Sequence, residues 1–168
     1  MDSKTTLSSA AKREEKPAEA RYFEMSMRGT YPDLKDVKLY TDRVELSVGN
    51  AVSFDNEYEK VTSMSYFLGS LLSSILFTSV KELKSKGVLL DEIEGLVRAK
   101  LTNPLRMIPV RGYDDPADIE EIQVKLFYYG DGDPETMNEM IRKAQEANPI
   151  YRLVADARPI ELLIEWVL

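Results

Sequence analysis

The sequence predicts an α+β domain, and three observations carry that prediction. Ser63 to Gly87 reads as one long helix. From Met64 to Phe77 its apolar residues run nearly all the way round, leaving no clean polar face, so the helix belongs inside a core. The segments before and after it alternate apolar and polar residues with period two, the pattern of half-buried strands. A second helix opens at Asp133-Pro134, with an aspartate able to cap and a proline suited to the first helical position. Strands grouped in this way, with two helices to cover them, make α+β rather than alternating α/β.

Taken in order, residues 1–20 are small, polar and charged and read as a mobile N-terminal tail, with the folded domain spanning 21–168. Tyr22 to Arg28 alternates, with Phe23, Met25 and Met27 on one face, and predicts a strand. Gly29 to Asp36 contains Tyr-Pro-Asp and reads as a turn. Val37–Tyr40 and Arg43–Val48 form a hairpin about Thr41-Asp42, and an acid-rich loop leads to the long helix. Thr62 or Ser63 caps that helix. Lys81, Lys84 and Lys86 sit where its dipole favours cations, and Gly87 supplies the left-handed stop.

Past Gly87, Ile93 to Leu101 and Ile122 to Tyr128 alternate as two more strands, separated by a loop over Thr102 to Pro116. Met137, Met140, Ile141 and Ala144 mark the apolar stripe of the second helix. Asn148-Pro149 breaks it and starts a short helix, Ile150 to Val154. A last strand, Ile160 to Leu168, places Ile160, Leu162, Ile164 and Trp166 on one face. The expected arrangement is an antiparallel sheet packed on the long helix.

Composition excludes much chemistry. At 168 residues the chain makes one domain, long enough to bury about 70% of its unfolded surface. Charged residues are 30% and hydrophobic ones 43%, as in soluble globular proteins. A net charge of −7 argues against nucleic acid and anionic membrane surfaces as partners, because both need a basic footprint. With no cysteine there is no disulfide and no thiol chemistry. With no histidine the usual zinc sites and the commonest general base are missing. No cofactor is implied. The Asp131-Gly132-Asp133-Pro134-Glu135 run lacks the spacing of a calcium loop and is explained by a turn feeding a helix cap, so no metal site is expected. No signal-peptide pattern is seen, and Met64 to Phe77 falls short of the roughly 20 apolar residues a membrane span needs. The expectation is a cytoplasmic protein.

The order of elements and several local motifs resemble the OsmC/Ohr family of hydroperoxide-reducing stress proteins. The resemblance covers about Arg21 to Leu168 and is carried by the central helix ending in Ser-Lys-Gly, the segment IEEIQVKLFYYGDGDP, and the run IRKAQEANPIYRLV. It implies an intertwined homodimer with both sites at the interface, and two cysteines that reduce organic hydroperoxides. One family cysteine directly precedes the proline of that last run, where this sequence has Asn148. The other lies within the central helix, and counting back from Gly87 places Ser74 there. The Pro-Glu start of the family helix is replaced by Ser63-Met64-Ser65, which leaves its catalytic glutamate unmatched. The family also uses an arginine from the N-terminal strands, the region in which Arg28 lies. The resemblance thus implies the fold and the dimer but not the peroxidase chemistry, and no catalytic residue is assigned.

Ser74 as a nucleophile would need an activating base. The alternative is a small core residue bonded back to the carbonyl four residues earlier. Asn148 is suited to capping the helix that Pro149 opens, with a ligand contact as its other reading. Gly69, Ser70, Ser73 and Ser74 form a patch of small residues, and Arg28, Ser70 and Ser73 are candidates to line a pocket. Three functions stay open: a thiol-free family member binding a small apolar ligand at the dimer interface, an enzyme using Arg28 or another charged group with the serine patch, or a purely structural dimer. The missing thiols and imidazoles favour the first or the third.

Overall fold

The computed structural model describes residues 25–108 and 110–167. The proposed tail at 1–20 and the start of the expected first strand at 22–24 lie outside the described residues. Three short strands come first: β1 (Arg28–Thr30), β2 (Val37–Tyr40) and β3 (Glu45–Val48), an antiparallel sheet in the order β1-β2-β3. The expected hairpin is present, closed at Thr41 by its backbone N–H donating to Val44 O at 2.9 Å. Of the expected strand over Tyr22–Arg28, the described part forms strand only from Arg28, and Met25 and Met27 are 81% and 53% exposed. Their alternation marks a face suited to burial, but the described chain offers nothing to bury it against.

The long helix α1 spans Ser63–Ser85. Thr62 caps it, accepting a hydrogen bond from Ser65 N at 3.1 Å. It stops at Gly87, whose φ of +77° is the left-handed conformation that a Cβ makes unfavourable. After it come β4 (Leu90–Leu101), β5 (Ile119–Gly130), helices α2 (Pro134–Ala144) and α3 (Pro149–Ala157), and β6 (Ile160–Trp166). The second sheet has the order β4-β5-β6. β4 and β5 are antiparallel, but β5 and β6 are parallel, which corrects the all-antiparallel expectation. The cause is the connection, because a crossover of two helices returns the chain in its original direction.

The core lies between this second sheet and the helices. Ile122, Val124, Leu126 and Tyr128 are the inward residues of β5, each at most 3% exposed, and they alternate as the sequence predicts. Leu71, Ile75 and Leu83 of α1, Met137 and Ile141 of α2, and Leu162 and Ile164 of β6 complete the cluster. Gly95 of β4 lets α1 approach, since a Cβ there would lie 2.6 Å from Leu72 Cδ1. Tyr128 reaches from β5 to α2, donating its hydroxyl to Asn138 Oδ1 at 2.9 Å. Burial, with the Asp133 charge beside it, raises its pKa.

One expectation about α1 fails in the single chain. By length and composition alone the helix would pass for a membrane span. One face, through Leu71, Ile75, Ser79 and Leu83, is seated in the core. The other is open: Phe77 is 78% exposed, Phe67 is 38% exposed, and a Cβ on Gly69 would meet nothing within 4 Å. The described residues cover only one side of the helix, and the open side carries Phe67 and Phe77 among the small residues Gly69, Ser70 and Ser73. The first sheet does not supply the missing cover. It is tied to the start of α1 by Tyr66 Oη donating to Ser47 O at 3.2 Å, Gly49 N to Val61 O at 3.0 Å and Ser63 N to Asn50 O at 2.9 Å.

Candidate functional site

Ser74 and Asn148, 74 positions apart in sequence, meet in the fold. Asn148 Nδ2 donates to Ser74 Oγ at 3.2 Å. Two elements position the pair. Ser74 sits on α1, on the side turned towards α3. Asn148 lies at the break between α2 and α3, where Pro149 cannot extend the preceding helix but opens the next one. Asn148 caps α3, its Oδ1 accepting from Ile150 N and Tyr151 N, both at 3.1 Å. The capping reading therefore holds, and α3 runs through Pro149–Ala157, further than Ile150–Val154.

The pair belongs to a larger network. Asn148 Nδ2 also donates to Gln145 Oε1 at 3.0 Å. Gln145 Nε2 donates to Ser79 Oγ at 3.0 Å and to Ile141 O at 3.2 Å. Both hydroxyls then donate back into α1, Ser74 to Leu71 O at 2.8 Å and Ser79 to Ile75 O at 2.7 Å. Ser74 thus bonds to the carbonyl three residues back rather than four, while Ser79 uses the four-residue spacing. Ser79, Gln145 and Asn148 are at most 1% exposed, and no buried side-chain polar atom among the described residues lacks a partner.

This geometry limits the chemistry. Every member of the network is a neutral amide, a hydroxyl or a backbone carbonyl, so no titratable group stands ready to take a proton from Ser74. The Ser74 proton is already committed to Leu71 O, and its lone pair faces the Asn148 amide. The arrangement is closed: both amide hydrogens and both lone pairs of Asn148 are used. A fully satisfied buried network fixes how α1 meets the α2–α3 corner.

The remaining candidates lie elsewhere. Ser70 and Ser73 are on the exposed face of α1, where Ser73 Oγ donates to Ser70 O at 3.1 Å. Arg28 opens β1, with its guanidinium 4.4 Å from the centre of the Tyr40 ring. Gln145 and Ser79 escaped sequence reasoning, although a signal existed. Ser79 continues Leu71 and Ile75 at intervals of four, and Gln145 continues Met137 and Ile141 at the same interval. Both polar residues stand on core stripes.

A cavity of about 560 Å³ opens beside the network. Phe67, Ile119, Leu153, Val154 and Ala157 give it apolar walls, and Asp118 and Arg158 form an ion pair in its lining. Phe67 is two helical turns before Ser74 on the same side of α1, about 10 Å along the axis. The cavity therefore lies about two turns of α1 before the network, with α1 and α3 contributing to both.

The fold and site define a class: an α+β domain whose long helix and Asn-Pro corner hold a closed polar network beside an apolar cavity. Comparison with known proteins places it. A sequence model described as OsmC-like protein matches residues 54–163. No curated protein matches the sequence. Among solved structures, an OsmC-like protein from Mycoplasma pneumoniae superposes with a TM-score of 0.70 at 12% identity, covering 87% of this chain and 99% of its own. An organic hydroperoxide resistance protein from Elizabethkingia anophelis gives 0.66 at 10% identity, covering 87% and 98%. A hypothetical protein from Aquifex aeolicus gives 0.64 at 15% identity, covering 88% and 100%. At such identities the structures speak for the fold alone. With most of the chain matched by the family's sequence model, the protein belongs to the OsmC-like family, and it has no cysteine.

Proposed function

We propose that this protein is a thiol-free OsmC-like homodimer that binds a small, largely apolar molecule beside α1 at the subunit interface and does not reduce hydroperoxides. The observation that carries this reading is the closed network at Ser74 and Asn148. Where the resemblance places two cysteines, the chain has a hydroxyl and an amide that are fully engaged with each other and with the backbone. A peroxidatic step needs a thiolate, and nothing in the network can substitute for one.

The dimer is supported by the uncovered face of α1. Phe67, Gly69 and Phe77 on that helix, with Leu153 on α3 at 74% exposure, form an apolar surface that the described residues leave open. A second copy about a two-fold axis covers both faces at once. Obligate dimers of this kind bury more than about 2,000 Å² in total. The cavity between α1 and α3 opens at Phe67 and Leu153, so the second copy would roof it.

Native mass spectrometry of the purified protein tests this reading. The expected spectrum is a dimer carrying additional small mass that organic extraction removes. A bare dimer would favour the purely structural role, and a stable folded monomer at micromolar concentration would overturn the proposal.

A further inference from the structure

We infer that the cavity between α1 and α3 takes a small apolar molecule with a carboxylate head, held by the guanidinium of Arg158. This deepens the reading above and rests on it. The walls supply no polar anchor, so the tail of any occupant is apolar. Arg158 and Asp118 are the charged residues of the lining, and they decide the head group.

Arg158 ends α3, its backbone N–H donating to Val154 O at 2.8 Å, and Pro159 follows it. Its Cα is therefore fixed at the rim. The side chain gives Nη2 to Asp118 Oδ2. Among the described residues its other N–H groups, on Nε, on Nη1 and the second on Nη2, meet no acceptor. A guanidinium presents five donors in a planar fork, and one carboxylate oxygen leaves an edge of that fork open. A ligand carboxylate fits this edge with two parallel hydrogen bonds, while its tail lies along Phe67 and Leu153. Asp118 then acts as a positioning residue. It orients the fork, and its own charge weakens the attraction for a second anion. Asp118 is held in turn by Thr102, whose Oγ1 accepts from Asp118 N at 3.0 Å. The volume of about 560 Å³ lies within the usual range for small-molecule sites.

The test titrates the full-length protein calorimetrically with three ligands that share a tail: octanoate, octan-1-ol and octylammonium. Octanoate is expected to bind about tenfold more tightly than octan-1-ol, with octylammonium weakest. Arg158→Gln should remove the preference for octanoate while keeping the octan-1-ol affinity, which shows that the cavity is intact. Asp118→Asn should strengthen octanoate binding several-fold. Equal affinity for the three ligands, or a carboxylate preference that survives Arg158→Gln, would overturn this inference and leave the apolar-ligand reading standing. Binding of none of the three would overturn both.

Discussion

Replacing Asn148 by alanine removes the residue on which the network turns, and the structure sets the cost. Loss of an asparagine N-cap costs about 1 kcal/mol, here because Ile150 N and Tyr151 N lose Oδ1. Gln145 Oε1 loses the amide hydrogen that satisfies it inside the core, and an unsatisfied buried acceptor costs about 1–3 kcal/mol. Asn148→Ala should therefore destabilise the protein by about 2–4 kcal/mol. Ser74→Ala is milder. It leaves Asn148 Nδ2 with one of its two acceptors, at a cost of about 0.5–1.5 kcal/mol. The double variant should cost less than the sum, since Ser74 has no amide to accept from once Asn148 is gone. Urea unfolding at fixed protein concentration measures all three, read from the midpoint at constant slope. An Asn148→Ala variant within about 0.5 kcal/mol of the parent would rule out this role for Asn148, because an effect that small is what an exposed, uninvolved residue gives.

Three further perturbations probe the same geometry. Gly95→Val drives a side chain into Leu72 and Leu126, whose Cδ2 lies 3.2 Å from where a Cβ on residue 95 would stand; it should destabilise by about 1–3 kcal/mol, and a stabilised variant in thermal unfolding would contradict the packing described. Ser74→Cys combined with Asn148→Cys should form a disulfide under mild oxidation, as their parent side chains touch at 3.2 Å; two thiols still titratable in the folded, oxidant-treated protein would count against it. Asp133 has its pKa lowered from 3.8 by the Thr136 hydroxyl and then the Thr136 backbone N–H. The unfolded chain therefore takes up a proton first as pH falls. The capping contribution is present above about pH 4 and is lost as pH drops through the lowered folded value, so parent and Asp133→Ala unfolding midpoints should converge in acid, and a gap independent of pH would be the contrary result.

Much of the fold was legible because its signals are local. Period-two alternation over Ile122–Tyr128 marks the inward face of β5 residue by residue. Asp133-Pro134 and Asn148-Pro149 mark the starts of two helices, because proline at the first turn and a side-chain acceptor before it act within a few residues. The parallel pairing of β5 with β6 was not legible, since it depends on a crossover rather than on either strand's own pattern. Met25 and Met27 misled because alternation records a tendency to be buried without saying what does the burying. The same holds for α1, where an all-round apolar pattern gave no hint of which face the single chain covers. The Ser74–Asn148 pairing came from the family resemblance and not from spacing. Gln145 and Ser79 were within reach, because a polar residue falling on an apolar stripe must find a partner inside the core.

Where the family resemblance implies two thiols, this chain has the Ser74–Asn148 hydroxyl–amide network, and no hydroperoxide reduction is expected of it. Turnover of cumene hydroperoxide with a dithiol reductant, followed by peroxide consumption, tests that expectation most directly. The expected rate equals that of the buffer and reductant alone at every protein concentration. A rate that rises with protein and saturates with hydroperoxide would contradict it.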